Sequence, residues 1–143
     1  MRKLTTRVII ATASLVVAAG VASAQTTMNA EIPFEFRAGN RVMEPGTYRV
    51  DNLSSRTNTP VFRLQNVNSG GSIVLLPQAP VDPQKGWTQG DAKLVFACTS
   101  GSCALAEVWD GSSSLAYEFH RPNLGKDVTA WLKEIPMQRG KGE

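Results

Sequence analysis

The stretch that decides the fold is Lys93–Trp109, KLVFACTSGSCALAEVW. Two apolar runs flank the pair Ser100-Gly101, and the chain's 2 cysteines, Cys98 and Cys103, bracket it. With Ser100 and Gly101 as the central turn residues, Thr99 faces Ser102 and Cys98 faces Cys103 across a hairpin. The same register sets Phe96 opposite Leu105 and Val95 opposite Ala106. The stretch therefore predicts two paired strands, a crosslink and part of a core. A closed loop of this size adds about 2 kcal/mol by the chain-entropy estimate. The spacing is not Cys-x-x-Cys, so a structural staple is favoured over a redox-active pair.

Outward from the hairpin, short alternating segments recur. In Ala30–Arg37, Ile32, Phe34 and Phe36 share one face, with Glu31, Glu35 and Arg37 on the other. Gly39-Asn40 and Pro45-Gly46 are turn signals. Thr47–Leu53 is a predicted strand with Tyr48 and Val50 inward and Arg49 and Asp51 outward. Val61–Val67 carries Phe62 and Leu64 inward. Asn68–Gly71 closes a hairpin into Ser72–Leu76, whose apolar run predicts burial on both faces. Leu115–Arg121 alternates again, with Leu115, Tyr117 and Phe119 on one face. Pro77–Asp91 has no obvious element, and Gln25–Asn29 reads as a loose leader. The reading is all-β, an antiparallel sandwich or small barrel with one hairpin disulfide.

The last element is open. Val128, Trp131, Leu132 and Ile135 fit a helical stripe that Asp127 would cap, so a short C-terminal helix over 127–135 is slightly favoured over a twisted strand. Pro136 is expected to end it, with 137–143 a flexible tail. Trp109 and Trp131 both read as core.

The N-terminus reads as an export signal. Arg2, Lys3 and Arg7 precede the apolar stretch Val8–Val21, and Ala22-Ser23-Ala24 fits a cleavage site. The apolar run is short for a membrane span, so no transmembrane span is expected in the mature chain. Cleavage after Ala24 leaves one β-rich domain over 25–136 and the tail. The full chain carries 15 basic and 12 acidic side chains, but three of the basic ones leave with the signal. The basic balance thus belongs to targeting and gives no argument for nucleic-acid binding. Periplasmic, cell-surface or secreted placement is expected, and export favours paired cysteines.

Ile32-Pro33-Phe34-Glu35-Phe36, Gly39 and Pro45-Gly46-Thr47-Tyr48 form an ordered set of motifs. It continues at Val61–Asn66, Lys93–Phe96 and Leu105–Trp109. In this set the chain resembles a group of small exported bacterial proteins, functionally uncharacterised as a group. Their pattern is an Ile-Pro-Phe-x-Phe strand, a Gly turn and a Pro/Gly turn ending in Tyr. The resemblance covers roughly residues 30–110. It implies a secreted β-rich domain and brings no catalytic residues.

The residues themselves offer little chemistry. His120 is the single histidine, which excludes a multi-histidine metal site within one chain. A set of Ser112, Ser113 or Ser114 with His120 and Asp110 lacks the Gly-x-Ser-x-Gly elbow. Glu107 and Asp110 are the nearest carboxylate pair for glycoside hydrolysis, and solvated strand-end charges explain them better. There is no phosphate-binding Gly loop and no calcium loop, and no cofactor is expected. Trp87 is different. It lies in a Pro/Gly loop beside Lys85 and Gln89, where an indole stacks on a sugar, anchors a partner, or packs over the sheet end. The leading expectation is a non-catalytic exported interaction or structural domain of the cell envelope or extracellular space, with an envelope protein or polysaccharide as partner. The alternative is a glycan-binding module using Trp87, Lys85 and Gln89. A small secreted hydrolase ranks third.

Overall fold

The computed structural model describes residues 27–53, 60–87, 90–120 and 130–140. The expected signal peptide, Gln89 and the residues 127–129 that would begin the C-terminal helix lie outside these. Eleven strands and no helix occur among the described residues: β1 Thr27–Ile32, β2 Phe36–Ala38, β3 Arg41–Met43, β4 Gly46–Asn52, β5 Phe62–Asn66, β6 Ser72–Leu75, β7 Ala79–Val81, β8 Lys93–Cys98, β9 Cys103–Trp109, β10 Ala116–Glu118 and β11 Trp131–Arg139. They form one curled sheet, a half-barrel, in the order β3-β2-β9-β8-β11-β1-β4-β5-β6, with β10 joining β9 to β7. All pairs are antiparallel except β2 with β9, which run parallel.

The central hairpin follows the register read from the sequence at its tip. Cys98 faces Cys103, Ala97 faces Ala104 and Phe96 faces Leu105. Thr99 N–H donates to the Ser102 carbonyl at 2.7 Å. Alternation then makes Cys98/Cys103 a non-hydrogen-bonded pair, the kind in which side chains come closest. The disulfide bridges them with Cα atoms 4.0 Å apart. Beyond Phe96 the expected register fails: Val95 faces Glu107, and Ala106 is the extra residue of a β-bulge. The bulge frees the Ala106 carbonyl, which accepts from the Phe119 N–H at 2.9 Å and so extends the bonding between β9 and the β10 segment.

Where it is described, from Trp131 on, the expected helix is a strand. Trp131–Pro136 pairs with Lys93–Cys98, and Met137–Arg139 pairs with β1. Pro136 does not end the element, and Met137, expected in a tail, is buried at 5% exposure. The reason lies in hydrogen-bond parity. Met137 N–H donates to the Ala92 carbonyl, whereas Gly140 N–H donates to the Thr27 carbonyl. Odd residues of β11 therefore bond towards β8 and even residues towards β1. Pro136 is even, so its missing N–H takes nothing from the β8 ladder. It lies where β11 leaves one wing of the sheet for the other. Met28–Ala30 of β1 receives this second half, so Met28 and Asn29, expected to be loose, are laddered.

The two wings curl over a common core drawn from both, including Ile32, Phe36, Tyr48, Leu64, Leu94 and Phe96. Phe62 of β5 meets Tyr117 and Phe119 across the interior at 5.7 and 5.9 Å. Phe36 meets Tyr48 at 5.3 Å and Phe96 at 5.2 Å. Arg41 of β3 donates to the Ser72 carbonyl of β6 at 2.8 Å, tying the two ends of the strand order together. Because β6 is an outer strand, Ser72–Leu76 is not buried on both faces: Val74 and Leu76 are exposed. Leu115 is also exposed, lying just ahead of β10.

Two polar clusters are built into the sheet, and the first explains turn motifs seen in the sequence. Tyr48 is fully buried. Its hydroxyl donates to the Glu44 carbonyl at 2.5 Å and accepts from Asn66 Nδ2 at 3.2 Å. Asn66 Oδ1 in turn accepts from the Asn68 and Ser69 amides. Burial pushes the Tyr48 phenol above its ordinary pKa, partly offset by the Asn66 bond.

The second cluster corrects the expectation that Asp51 faces solvent. Asp51 is 2% exposed and sits in one cross-strand row between Thr27 and Arg63. Thr27 Oγ1 and Arg63 Nη2 each donate to it at 2.8 Å. Asp51→Ala is expected to lower stability by about 2 kcal/mol in urea unfolding, because a charged acceptor is lost from two buried-side donors. The coupling to Arg63→Ala in a double-mutant cycle is expected to stay below about 1 kcal/mol, since Arg63 is 38% exposed and screened.

Candidate functional site

Trp87 is the residue the sequence singled out, and the fold gives it a definite seat. It follows a turn in which its N–H donates to the Gln84 carbonyl at 3.2 Å. The indole stacks on Trp109 at 5.4 Å with the planes 20° apart. Its Nε1–H donates to Glu134 Oε1 at 2.8 Å. Lys93 Nζ bonds the other oxygen of Glu134 at 3.0 Å and lies 5.7 Å from the Trp87 ring centroid. Trp109, buried as expected, donates its own Nε1–H to the Ser113 carbonyl.

The β ladder assembles this group. Lys93 of β8 faces Trp109 of β9, and Glu134 of β11 faces Val95 of β8. Period-two alternation brings Lys93, Trp109 and Glu134 to one face, and the β7–β8 connection lays Trp87 over them. Trp87 is half-buried and Lys85, two residues earlier, is exposed. The structure thus joins Trp87 to Trp109, Lys93 and Glu134, and sets Lys85 apart from that bonding.

Glu134 titrates below the usual carboxylate range, first because of the Trp87 hydrogen bond and then because of Lys93. A carboxylate held low in the folded state stabilises above its unfolded pKa, and that contribution is lost as pH falls through the folded value. Trp87→Phe keeps a ring on Trp109 but removes the donor. It is expected to raise the Glu134 pKa and to shrink the acid-side loss of stability. A carboxyl-detected NMR titration checks the first, and thermal melts below the usual carboxylate pKa check the second.

The other candidates are spread through the fold. Asp110 Oδ1 accepts from the Ser112 and Ser113 amides at 2.9 and 2.7 Å, closing a turn after β9. Ser113 Oγ accepts from the Leu115 amide, and His120 is exposed beyond β10. Glu107 lies within β9 opposite Val95 and Glu118. Among the described residues no group of three or more His, Cys, Asp or Glu is placed to hold a metal ion.

Several openings adjoin the interior among the described residues. A cavity of about 60 Å³ between the wings is lined by Met28, Val50, Phe62, Val108, Tyr117 and Met137. A groove of about 440 Å³ runs where β1 and β11 diverge, beside Glu31, Pro33, Ile135 and Pro136. Trp131, expected in the core, is 52% exposed at the start of β11, and Leu132 beside it is 53% exposed. No helix of the described residues is long and apolar enough to cross a membrane. Comparison with protein-family models, curated proteins and solved structures finds no match to this chain.

Proposed function

We propose that the protein is a non-catalytic, exported interaction or structural domain of the cell envelope or extracellular space. The observation that carries this reading is the disulfide across the tip of the central hairpin, between Cys98 at 1% exposure and Cys103. Such bonds persist in oxidising compartments, and the export-type N-terminus supports the same placement. The charged and aromatic groups at the surface favour a scaffold over a reaction centre. Glu134 is held by Trp87 and Lys93, and Asp110 closes a turn. The stacking of Trp87 on Trp109 supports a packing role for the indole ahead of sugar stacking.

The experiment is a pull-down of the oxidised mature chain against the envelope protein fraction and a panel of insoluble polysaccharides. Saturable retention on envelope protein is expected, unchanged in Trp87→Phe. Retention confined to a polysaccharide, and lost in Trp87→Ala, would replace this reading with a glycan-binding module.

A further inference from the structure

The half of β11 that pairs with β8 has a second edge. Trp131–Pro136 is laddered to β8, while pairing with β1 covers only Met137–Arg139. By the parity established above, the N–H and C=O groups of the even residues face away from β8. At Ala130, Leu132 and Glu134 they point along an edge that no described strand occupies, and residues 130–134 are all exposed. Pro136 bounds this edge on one side, because it offers no donor. An open edge beside exposed Trp131 and Leu132 is a template for strand addition.

We infer that this edge pairs with the same edge of a second copy, antiparallel about a two-fold axis through Leu132. The side chains select the partner and the register. In an edge-to-edge continuation of the sheet, residues directly opposite must point to the same face, so the register moves in steps of two. Setting Leu132 opposite its counterpart puts each Trp131 opposite Lys133 of the second copy. An ammonium then meets an indole twice, next to the Lys133–Phe34 contact already present at 4.5 Å. Ala130 falls opposite Glu134, and about six backbone hydrogen bonds close. The next register one way sets Lys133 against Lys133, and the one after it Glu134 against Glu134. Both place like charges directly opposite. The step the other way sets Trp131 against Trp131 and loses both Trp131–Lys133 pairs. The edge is therefore self-complementary in one register. The interface is short, so the dimer is weak and concentration-dependent.

This inference goes beyond the proposed function, which stands if the chain is a monomer. Sedimentation equilibrium of the mature chain tests it. The weight-average mass is expected to rise towards the dimer with concentration up to about the millimolar range. Leu132→Pro removes the outward N–H without touching the β8 ladder and is expected to weaken association at least about tenfold. Leu132→Ala, which keeps the N–H, is expected to retain more of it. Lys133→Glu gives a second variant should the proline fold poorly, and it too is expected to weaken the dimer. Cysteine placement reads the register. Leu132→Cys sits about 5.5 Å from its counterpart, within disulfide reach, and is expected to form a covalent dimer on oxidation. Ala130→Cys, on the same edge but more than about 10 Å from its counterpart, is expected not to. A monomer at every concentration, or crosslinking at 130 as readily as at 132, would overturn the inference.

Discussion

Phe96→Ala is expected to lower stability by about 3–5 kcal/mol, the largest loss from any single truncation in this core. Phe96 is fully buried. Its ring meets Phe34 edge-on at 5.1 Å and Phe36 at 5.2 Å. Phe36 in turn meets Tyr48, so the aromatic chain links the hairpin to the opposite wing. Removing the central ring leaves a void that no neighbour is free to fill, since Phe34 is pinned beneath Lys133 and Tyr48 is held at its hydroxyl. A domain of this size has about 5–15 kcal/mol in total, so the variant is expected to be partly unfolded at 37 °C. Urea denaturation should show a lower midpoint with an unchanged slope. A loss under about 1 kcal/mol would mean that the wings do not pack through this ring.

Gly111→Ala is expected to cost about 2–4 kcal/mol for a different reason. Gly111 follows β9 with φ of +80°, a conformation L-residues adopt at a penalty. An added Cβ would sit 2.8 Å from the Ala92 nitrogen and 3.1 Å from the Gly90 carbonyl carbon. Those are backbone atoms, and Gly90 N–H is itself bonded to the Gly111 carbonyl at 2.7 Å, so the close approach cannot relax by a rotamer change. The turn also leads out of Trp109, on which Trp87 is stacked. Thermal melts should fall, and the Trp87 indole N–H resonance should shift as its seat moves. An unchanged melt would show that the two loops separate easily.

Much of the fold was legible because its signals are local. The hairpin register at Cys98 and Cys103 followed from turn length, and the inward faces of β4 and β5 followed from alternation. The misreadings have a common physical origin. The stripe of Val128, Trp131, Leu132 and Ile135 fits a helix and a strand alike, and the β8 edge that decides for Trp131–Ile135 lies far upstream in sequence. Pro136 looked like a stop because its lost donor matters only on the side that is bonded, and sequence does not show which side that is. Asp51 alternates correctly as an outward residue. What buries it is the row of Thr27 and Arg63 on strands distant in sequence. The Ala106 bulge has no local mark. The site was legible only in part. Trp87 stands out in a Pro/Gly loop, but its partners Lys93, Trp109 and Glu134 become visible only once β11 is known to be a strand beside β8.

The most direct test of the proposal that this is an exported, disulfide-stapled domain is the intact mass of the native protein recovered from fractionated cells, without reductant. The expected species is a chain beginning at Gln25, found outside the cytoplasm, and lighter by two hydrogens than the reduced sequence. A cytoplasmic protein that keeps residues 1–24 and carries free thiols at Cys98 and Cys103 would contradict it.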